Sequence, residues 1–192
     1  MRSRTLVVPA LLLLAFATVE AWQKAHGAPE TFSANLQVTS KQGGAAAAYL
    51  TVDVQRYTPE ADRKAVEDAL KTGGYPAFVT ALRKAPQVGS VAVGDRKWAI
   101  RWARERDNGK GGRTITVVTD QPMFFVGGGS ADAKPREGYE VAVIHFDVDS
   151  VGMGRGVMTA AARVKPGGES GVEVDDYAET PIKLVTVVRK IK

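Results

Sequence analysis

The chain contains no cysteine, which excludes disulfide bonds, thiolate metal ligands, cysteine nucleophiles and Cys-linked lipid anchors. Histidine is nearly as scarce, with 2 residues among 192. The sequence contains neither a Gly-x-Ser-x-Gly nucleophile motif nor a His-Glu-x-x-His zinc motif. Hydrophobic residues make up 44% and charged residues 24%, a balance typical of one globular domain. The sequence is therefore more informative about destination and fold than about activity.

Long apolar runs are also missing, but a shorter run lies near the N terminus. Arg2 and Arg4 precede an uncharged stretch at residues 6–16, and small residues follow at spacings that suit signal cleavage. We expect residues 1–28 to be a secretory signal peptide, cleaved somewhere between 17 and 28. Residues 29–192 would then form a single β-rich domain. Export without cysteine indicates the bacterial periplasm or secretion rather than a disulfide-built scaffold.

The formal net charge is +5, and three basic residues and one acidic residue lie within residues 1–28. Removing that segment leaves a mildly basic protein of charge +3, with no remaining stretch apolar enough to span a membrane. An exported protein of this kind is not expected to bind nucleic acid. Its basic surface suits an anionic component of the cell envelope.

Apolar and polar residues alternate along most of residues 29–192, which predicts about nine β-strands. Short, turn-like connections make consecutive strands antiparallel. A set this large closes into a single β-barrel or, alternatively, splits into a β-sandwich. Residues 121–126 are expected to form an edge strand because they include Pro122. Residues 157–164 are expected to be a strand, although Ala160 to Ala162 also favour a helix.

The spacing of apolar residues changes after the second strand, from every second residue to a helical spacing. A two-helix insertion is predicted there, at about residues 59–85. Thr58 is expected to cap a helix over residues 59–72, and Gly73 and Gly74 to end it. A shorter helix follows at residues 76–84. This plan resembles that of small lipid-binding barrels, in which a helical pair caps the mouth. No residue motif ties the chain to such a family, and the Gly-x-Trp hallmark of lipocalins is absent.

An aromatic stripe follows the turn at residues 94–95. Period two places Trp98, Ile100 and Trp102 on one inward face, with Arg104 and Arg106 continuing it. Trp98 and Trp102 can line a cavity that holds a small amphipathic ligand, with Arg104 binding an anionic end. Core filling is the simpler interpretation of the two indoles.

His145, Asp147 and Asp149 share one strand face and are legitimate ligand types for zinc or manganese. The opposite face is apolar throughout and consists of Ala142, Ile144, Phe146 and Val148. The polar face is therefore expected to be the solvated side of a half-buried strand, with a metal role as a weak alternative. No cofactor is expected.

Two further patterns have structural interpretations. Gly152, Gly154 and Gly156 repeat with period two rather than as a dinucleotide fingerprint, which indicates a strand that another element approaches closely. A basic cluster is expected to be a solvated strand pair or a contact for anionic partners. Its members are Arg96, Lys97, Arg101, Arg104, Arg106, Lys110 and Arg113.

The favoured functional hypothesis is a non-enzymatic exported domain that binds a small amphipathic ligand or an envelope component. One alternative is a carboxylate-based enzyme of the cell envelope. Its candidate acids are Asp147, Asp149, Asp175 and Asp176. The other alternative is a structural or docking protein whose contact is the basic hairpin around Asn108 and Gly109.

Overall fold

The computed structural model describes residues 27–39, 45–123, 136–167, 172–176 and 182–190. Within these ranges the chain forms nine strands and one kinked helix. In chain order they are β1 (Glu30–Thr39), β2 (Ala45–Val54), α1 (Glu60–Lys84), β3 (Gly89–Val93), β4 (Arg96–Asp107), β5 (Arg113–Thr119), β6 (Val141–Val148), β7 (Met153–Pro166), β8 (Val172–Asp176) and β9 (Ile182–Lys190). The strand prediction for residues 157–164 is confirmed, because they lie within β7.

Eight of the strands close into an antiparallel barrel. Pairing runs in sequence order from β1 to β7, then from β7 to β9, and β9 returns to β1. The eighth strand in the chain, β8, pairs with the last residues of β7 beyond the closed part. The predicted antiparallel barrel is thus confirmed over the sandwich, and the nine strands match the expected number.

The barrel interior is packed with apolar side chains from every wall. Phe32 and Phe146 meet edge to face in its middle, with ring centroids 5.0 Å apart. The glycine track on β7 makes room for them. A Cβ on Gly156 would lie 2.4 Å from the Cβ of Phe146, and one on Gly154 only 1.7 Å from the carbonyl oxygen of Asp147. The close approach expected of these glycines is confirmed.

A β-bulge at Arg101 reverses which side chains of β4 point inward and which point outward. The pairing with β5 skips Arg101, so Ile100 faces the barrel interior whereas Trp102 faces outward. The Arg101 guanidinium donates hydrogen bonds to Asp120 at 2.8 Å and to the carbonyl of Ala85 at 3.2 Å. The predicted inward stripe is therefore wrong beyond Ile100, because a strict in-and-out alternation makes no allowance for an inserted residue.

The helix α1 has two segments that meet at Gly74, whose φ of 68° and ψ of −163° are non-helical. This confirms the predicted break and the predicted pair of helices. Thr58 does not cap the helix as expected. Its hydroxyl instead accepts a hydrogen bond from the backbone N–H of Ala103 at 2.8 Å, which anchors the start of α1 on β4.

The helix covers the outer wall of the barrel and does not cap its mouth, contrary to the lipid-binding-barrel analogy. A second apolar core forms between α1 and strands β4 to β7. Its buried members are Val66, Leu70, Tyr75, Phe78, Val79, Leu82, Trp102, Val118, Val141, Val143, Ala162 and Val164. The outward turn of Trp102 explains the change, since α1 must bury this side chain.

Several sequence predictions fall wholly or partly outside the described residues. The signal peptide is one, since residues 1–26 are not described. In the predicted edge strand, Gln121 to Met123 are not a strand, and the rest is not described. Met123 is instead buried in the interior core, and its N–H donates to the carbonyl of Ala160 at 2.7 Å. In the described part of the chain, no helix is long and apolar enough to cross a membrane.

Candidate functional site

Two rows of outward side chains run side by side across β4, β5 and β6. The first row is apolar, and strand register places Trp102 beside Val118 and Val118 beside Val143. The second row is polar and lies one step along the strands. It consists of Arg104, Thr116 and His145, each beside the next. Helix α1 lies over the apolar row, so the polar row forms the rim of a cleft between helix and barrel.

A cavity of about 20 Å³ remains between α1 and the apolar row. Its lining is apolar except for Glu67 and Thr116, which lie on its rim side. The lining residues are Val66, Glu67, Phe78, Trp102, Thr116, Val118, Val143, Val164 and Val174. A space of this size holds about one water molecule. The cleft is therefore almost closed in this conformation.

The rim carries an ion-pair chain between the helix and β4. Glu67 lies 3.0 Å from the guanidinium of Arg63 and 3.9 Å from that of Arg104. Burial lowers the pKa of Arg104, as do the nearby guanidinium groups of Arg63 and Arg106. Arg104 remains charged at neutral pH, because its ordinary pKa is very high. It is a partly desolvated cation with one long ion pair, which makes it the strongest anion-binding group of the rim.

His145 lies on the outer face, as the alternation predicted, but it is half-buried rather than solvated. Its Nδ1 is hydrogen-bonded to the hydroxyl of Thr116 at 2.8 Å. Burial lowers the pKa of His145, and Arg106 adds to this effect while Asp147 opposes it. The imidazole is therefore neutral at pH 7 and offers the rim hydrogen-bonding atoms without charge.

The acids suggested with His145 have structural partners. Asp147 is exposed and accepts a hydrogen bond from the hydroxyl of Thr114. Asp149 lies in the turn after β6, where its carboxylate accepts hydrogen bonds from the N–H groups of Val151 and Met153 at 3.0 and 2.9 Å. Over the residues that the structure describes, no group of three or more His, Asp or Glu side chains is placed to hold a metal ion.

The three residues suggested for ligand binding are divided between the two faces of β4. Trp98 is partly buried and packs against the interior core. Trp102 is buried under α1, and Arg104 follows it on the same outer face. The two indoles therefore do not line one cavity, whereas Trp102 and Arg104 do meet at the cleft.

The sequence analysis missed a buried charge cluster inside one end of the barrel. Arg113 donates to both carboxylate oxygens of Glu30, at 2.9 and 2.5 Å, and to Glu105 at 2.6 Å. The hydroxyl of Tyr57 donates to Glu30 at 2.8 Å, and Arg189 lies 3.3 Å from the same carboxylate. The side chains of Arg113 and Glu30 are only 9% and 5% exposed. The expectation that Arg113 belongs to a solvated basic surface is therefore wrong.

The surroundings keep Tyr57 and Arg113 in their protonated forms. Burial raises the pKa of Tyr57 far above its ordinary value, and the charges of Glu30 and Glu105 add to that shift. Burial opposes the charge on Arg113, but its hydrogen bonds to Glu30 and Glu105 more than offset this and raise its pKa. Two guanidinium groups balance two carboxylates, so the cluster is a fully paired structural unit rather than an acid–base site.

One signal in the sequence does lead to this cluster. Glu30 precedes Phe32, Ala34 and Leu36 with period two, which places Glu30 on the inward face of β1. A buried carboxylate requires a cation, but the alternation does not show which basic residue supplies it. Arg113 lies 83 residues away in the chain, so its pairing with Glu30 depends on barrel closure.

The remaining predicted sites are the two acids of β8 and the basic hairpin. Asp175 and Asp176 belong to β8, but their side chains lie outside the described residues. The hairpin around Asn108 is a closed turn, because the Asn108 side chain accepts hydrogen bonds from the N–H groups of Lys110 and Gly112. Comparison with protein-family models, with curated proteins and with solved structures finds no significant match to this chain.

Proposed function

We propose that this protein binds a small amphipathic anion in the cleft between α1 and the β4–β6 wall, and that it carries out no reaction on it. The adjacent rows of side chains carry this proposal. An apolar tail would lie along Trp102, Val118 and Val143, and an anionic head would lie on Arg104, Thr116 and His145. Ligand sites commonly combine an apolar lining with a few convergent polar groups.

The tail requires the first segment of α1 to move outward, because the present cavity is too small for an acyl chain. Two side chains of that segment are buried, Val66 and Leu70. The shorter second segment buries four, namely Tyr75, Phe78, Val79 and Leu82. The hydroxyl of Tyr75 also donates to the carbonyl of Ala162 at 3.1 Å. The first segment is therefore the part that moves: Thr58 holds its start on β4, non-helical Gly74 ends it, and the second segment stays in place.

The rim favours a singly charged head group such as a carboxylate. Arg104 supplies one cation, and Thr116 and the neutral imidazole of His145 supply hydrogen bonds. Glu67 would lose its ion pair with Arg104 when the helix moves, but it keeps the closer pair with Arg63. The carboxylate of the ligand would replace that of Glu67 as the partner of Arg104, so opening would cost little electrostatic free energy.

Tryptophan fluorescence tests this proposal directly. In a Trp98→Phe variant, Trp102 becomes the reporter of the β4–β6 wall. We expect decanoate to change its emission saturably, and decanol to bind at least about tenfold more weakly, because it lacks the charge that Arg104 binds.

A matched pair of variants assigns the head-group contact. Arg104→Gln should weaken decanoate binding by about tenfold or more, whereas Arg56→Gln, at an exposed position outside the polar row, should leave it unchanged. Emission that stays constant up to saturating decanoate would disprove the proposal. Equal weakening by both variants would show a general charge effect and would contradict the role of Arg104.

A further inference from the structure

The exposed apolar side chains of this protein are concentrated on one side of the barrel. They lie on the outer faces of β2, β7 and β9 and in the turn before β7, and we call this surface, together with the outer face of β1, the β9 wall. Of the residues that the structure describes, the large hydrophobic side chains exposed to solvent are Tyr49, Val151, Met153, Val157, Val185 and Val188. All six belong to the β9 wall, which includes only the first part of β7, whereas α1 packs on Ala162 and Val164 in the last part of that strand.

Strand register joins these positions into one surface. Met153 on β7 lies beside Val188 on β9, and Val188 lies beside Ser33 on β1. Two residues farther along β1, Asn35 lies beside Thr186 of β9 on one side and Tyr49 of β2 on the other. The exposures are large, with Val151 at 68%, Met153 at 52% and Tyr49 at 51%. Five of the six residues lie on β7, β9 and the turn before β7, and Asn35 separates Tyr49 from β9. A concentration of exposed apolar side chains of this kind marks an interaction site on a folded protein.

Basic side chains are interspersed among the apolar ones. Arg155, Lys183 and Lys190 are exposed on the same wall, and the ammonium group of Lys190 lies 5.8 Å from the ring centroid of Tyr49. Among the described residues of the wall, the acid is Asp53, which accepts a hydrogen bond from Thr31. Asp147 and Asp149 lie at its edge beside β7. The wall is thus apolar, with lysines near both ends of β9 and Arg155 on β7 beside Asp147.

We propose that the β9 wall docks on the surface of an anionic lipid bilayer. Short apolar side chains among lysines suit shallow insertion at the head-group level, where lysine can reach lipid phosphates. A second copy of this chain fits poorly. A two-fold contact centred on β9 would bring Lys183 and Lys190 against the same residues of the other copy.

This inference is independent of the ligand proposal, because the β9 wall shares no residue with the cleft. Vesicle flotation tests it, with protein purified from the cells that produce it and vesicles of phosphatidylcholine with or without phosphatidylglycerol. We expect association with the anionic vesicles that weakens as salt is raised, and little association with the neutral vesicles.

Variants on the wall should weaken this association while preserving the fold. Lys183→Gln and Lys190→Gln should each lower the vesicle partition coefficient by about fivefold. Met153→Ser with Val188→Ser should lower it further, because the apolar contact is lost. Lys71→Gln and Lys84→Gln, which remove the same charge from the exposed face of α1, serve as matched controls and should have no effect.

Three results would overturn the inference. The first is the absence of flotation with anionic vesicles at low salt. The second is equal flotation of wild type and of the Lys183→Gln, Lys190→Gln double variant. The third is a lysine-independent dimer in analytical ultracentrifugation that the Met153→Ser, Val188→Ser variant converts to monomer, which would assign the wall to a second copy.

Discussion

The molecule has two apolar cores that use opposite faces of strands β4 to β7, and different kinds of polar side chain border them. The interior core is enclosed by strands on every side, and one of its ends is closed by the buried cluster around Arg113. The outer core is covered by α1, with Val174 of β8 packed against it, and it ends on the partly exposed row around Arg104. Arg113 makes hydrogen bonds of 2.5 to 2.9 Å to two carboxylates, whereas Arg104 lies 3.9 Å from one. A tightly bonded arginine stabilises a fold, and a loosely paired one is available to a ligand.

The comparison is tested most strongly by one substitution made in each core. Leu50 lies in the interior core and Leu70 under the first segment of α1, and both are almost completely buried. Leu50→Ala should cost about 4–5 kcal/mol of unfolding free energy and Leu70→Ala about 2–3 kcal/mol. The difference is expected because a helix segment with two buried side chains can settle into the space, whereas a closed barrel cannot.

Urea denaturation followed by circular dichroism measures both values. Leu82→Ala, in the well-anchored second segment, is the matched control and should resemble Leu50→Ala. If Leu70→Ala proves as costly as Leu50→Ala, then the first segment is packed too firmly to move, and the ligand proposal loses its physical basis.

The two arginines provide the next test. Arg113→Met should destabilise the protein by about 3–5 kcal/mol, because it leaves the Glu30 carboxylate buried beside a single, longer pairing with Arg189. Adding Glu30→Gln to that variant should recover part of the loss. Arg104→Met should cost at most about 1 kcal/mol, since its ion pair is long and partly exposed. Equal costs at the two positions would show that burial does not distinguish these arginines.

The smallest expected effect is the pH dependence that His145 contributes. Burial lowers its pKa in the folded protein below the ordinary value of about 6.5. Above that value both folded and unfolded chains carry a neutral imidazole, so its contribution does not vary with pH. As the pH falls below it, the unfolded chain binds the proton more readily, and the folded state loses stability.

Partial exposure keeps this effect below about 1 kcal/mol. Unfolding free energies of wild type and His145→Gln, measured at several pH values, should diverge on the acid side of pH 7. Asp147→Asn is a useful companion variant, because Asp147 raises the pKa of His145 and its removal should enlarge the loss. Parallel pH profiles for wild type and His145→Gln would mean that the imidazole titrates as it does in water.

Much of the architecture follows from local pattern. Alternation predicts the strands, Gly73 and Gly74 predict the break in α1, and the period of Gly154 and Gly156 predicts the tight approach on β7. The candidate site was predicted in part. Trp102 and Arg104 were selected together, and His145 was placed on its correct face. Their meeting was not predicted, because adjacency across three strands depends on register rather than on sequence spacing.

The errors on β4 have a common physical origin in one inserted residue. The bulge at Arg101 is stabilised by Asp120 and by the carbonyl of Ala85, which are distant in the chain and unknown until the fold is formed. From that point β4 presents Trp102 outward and Glu105 toward Arg113. The helix then has an apolar wall to cover, and the barrel has a charge cluster to complete.

The sequence by itself determined the antiparallel strands and the place of the helical insertion, because side-chain alternation and glycine conformations act over a few residues. Only the tertiary structure decided which wall the helix covers, which arginine is buried and which side chains share the cleft. These outcomes depend on barrel closure and on a bulge held by distant residues, and no local pattern encodes either.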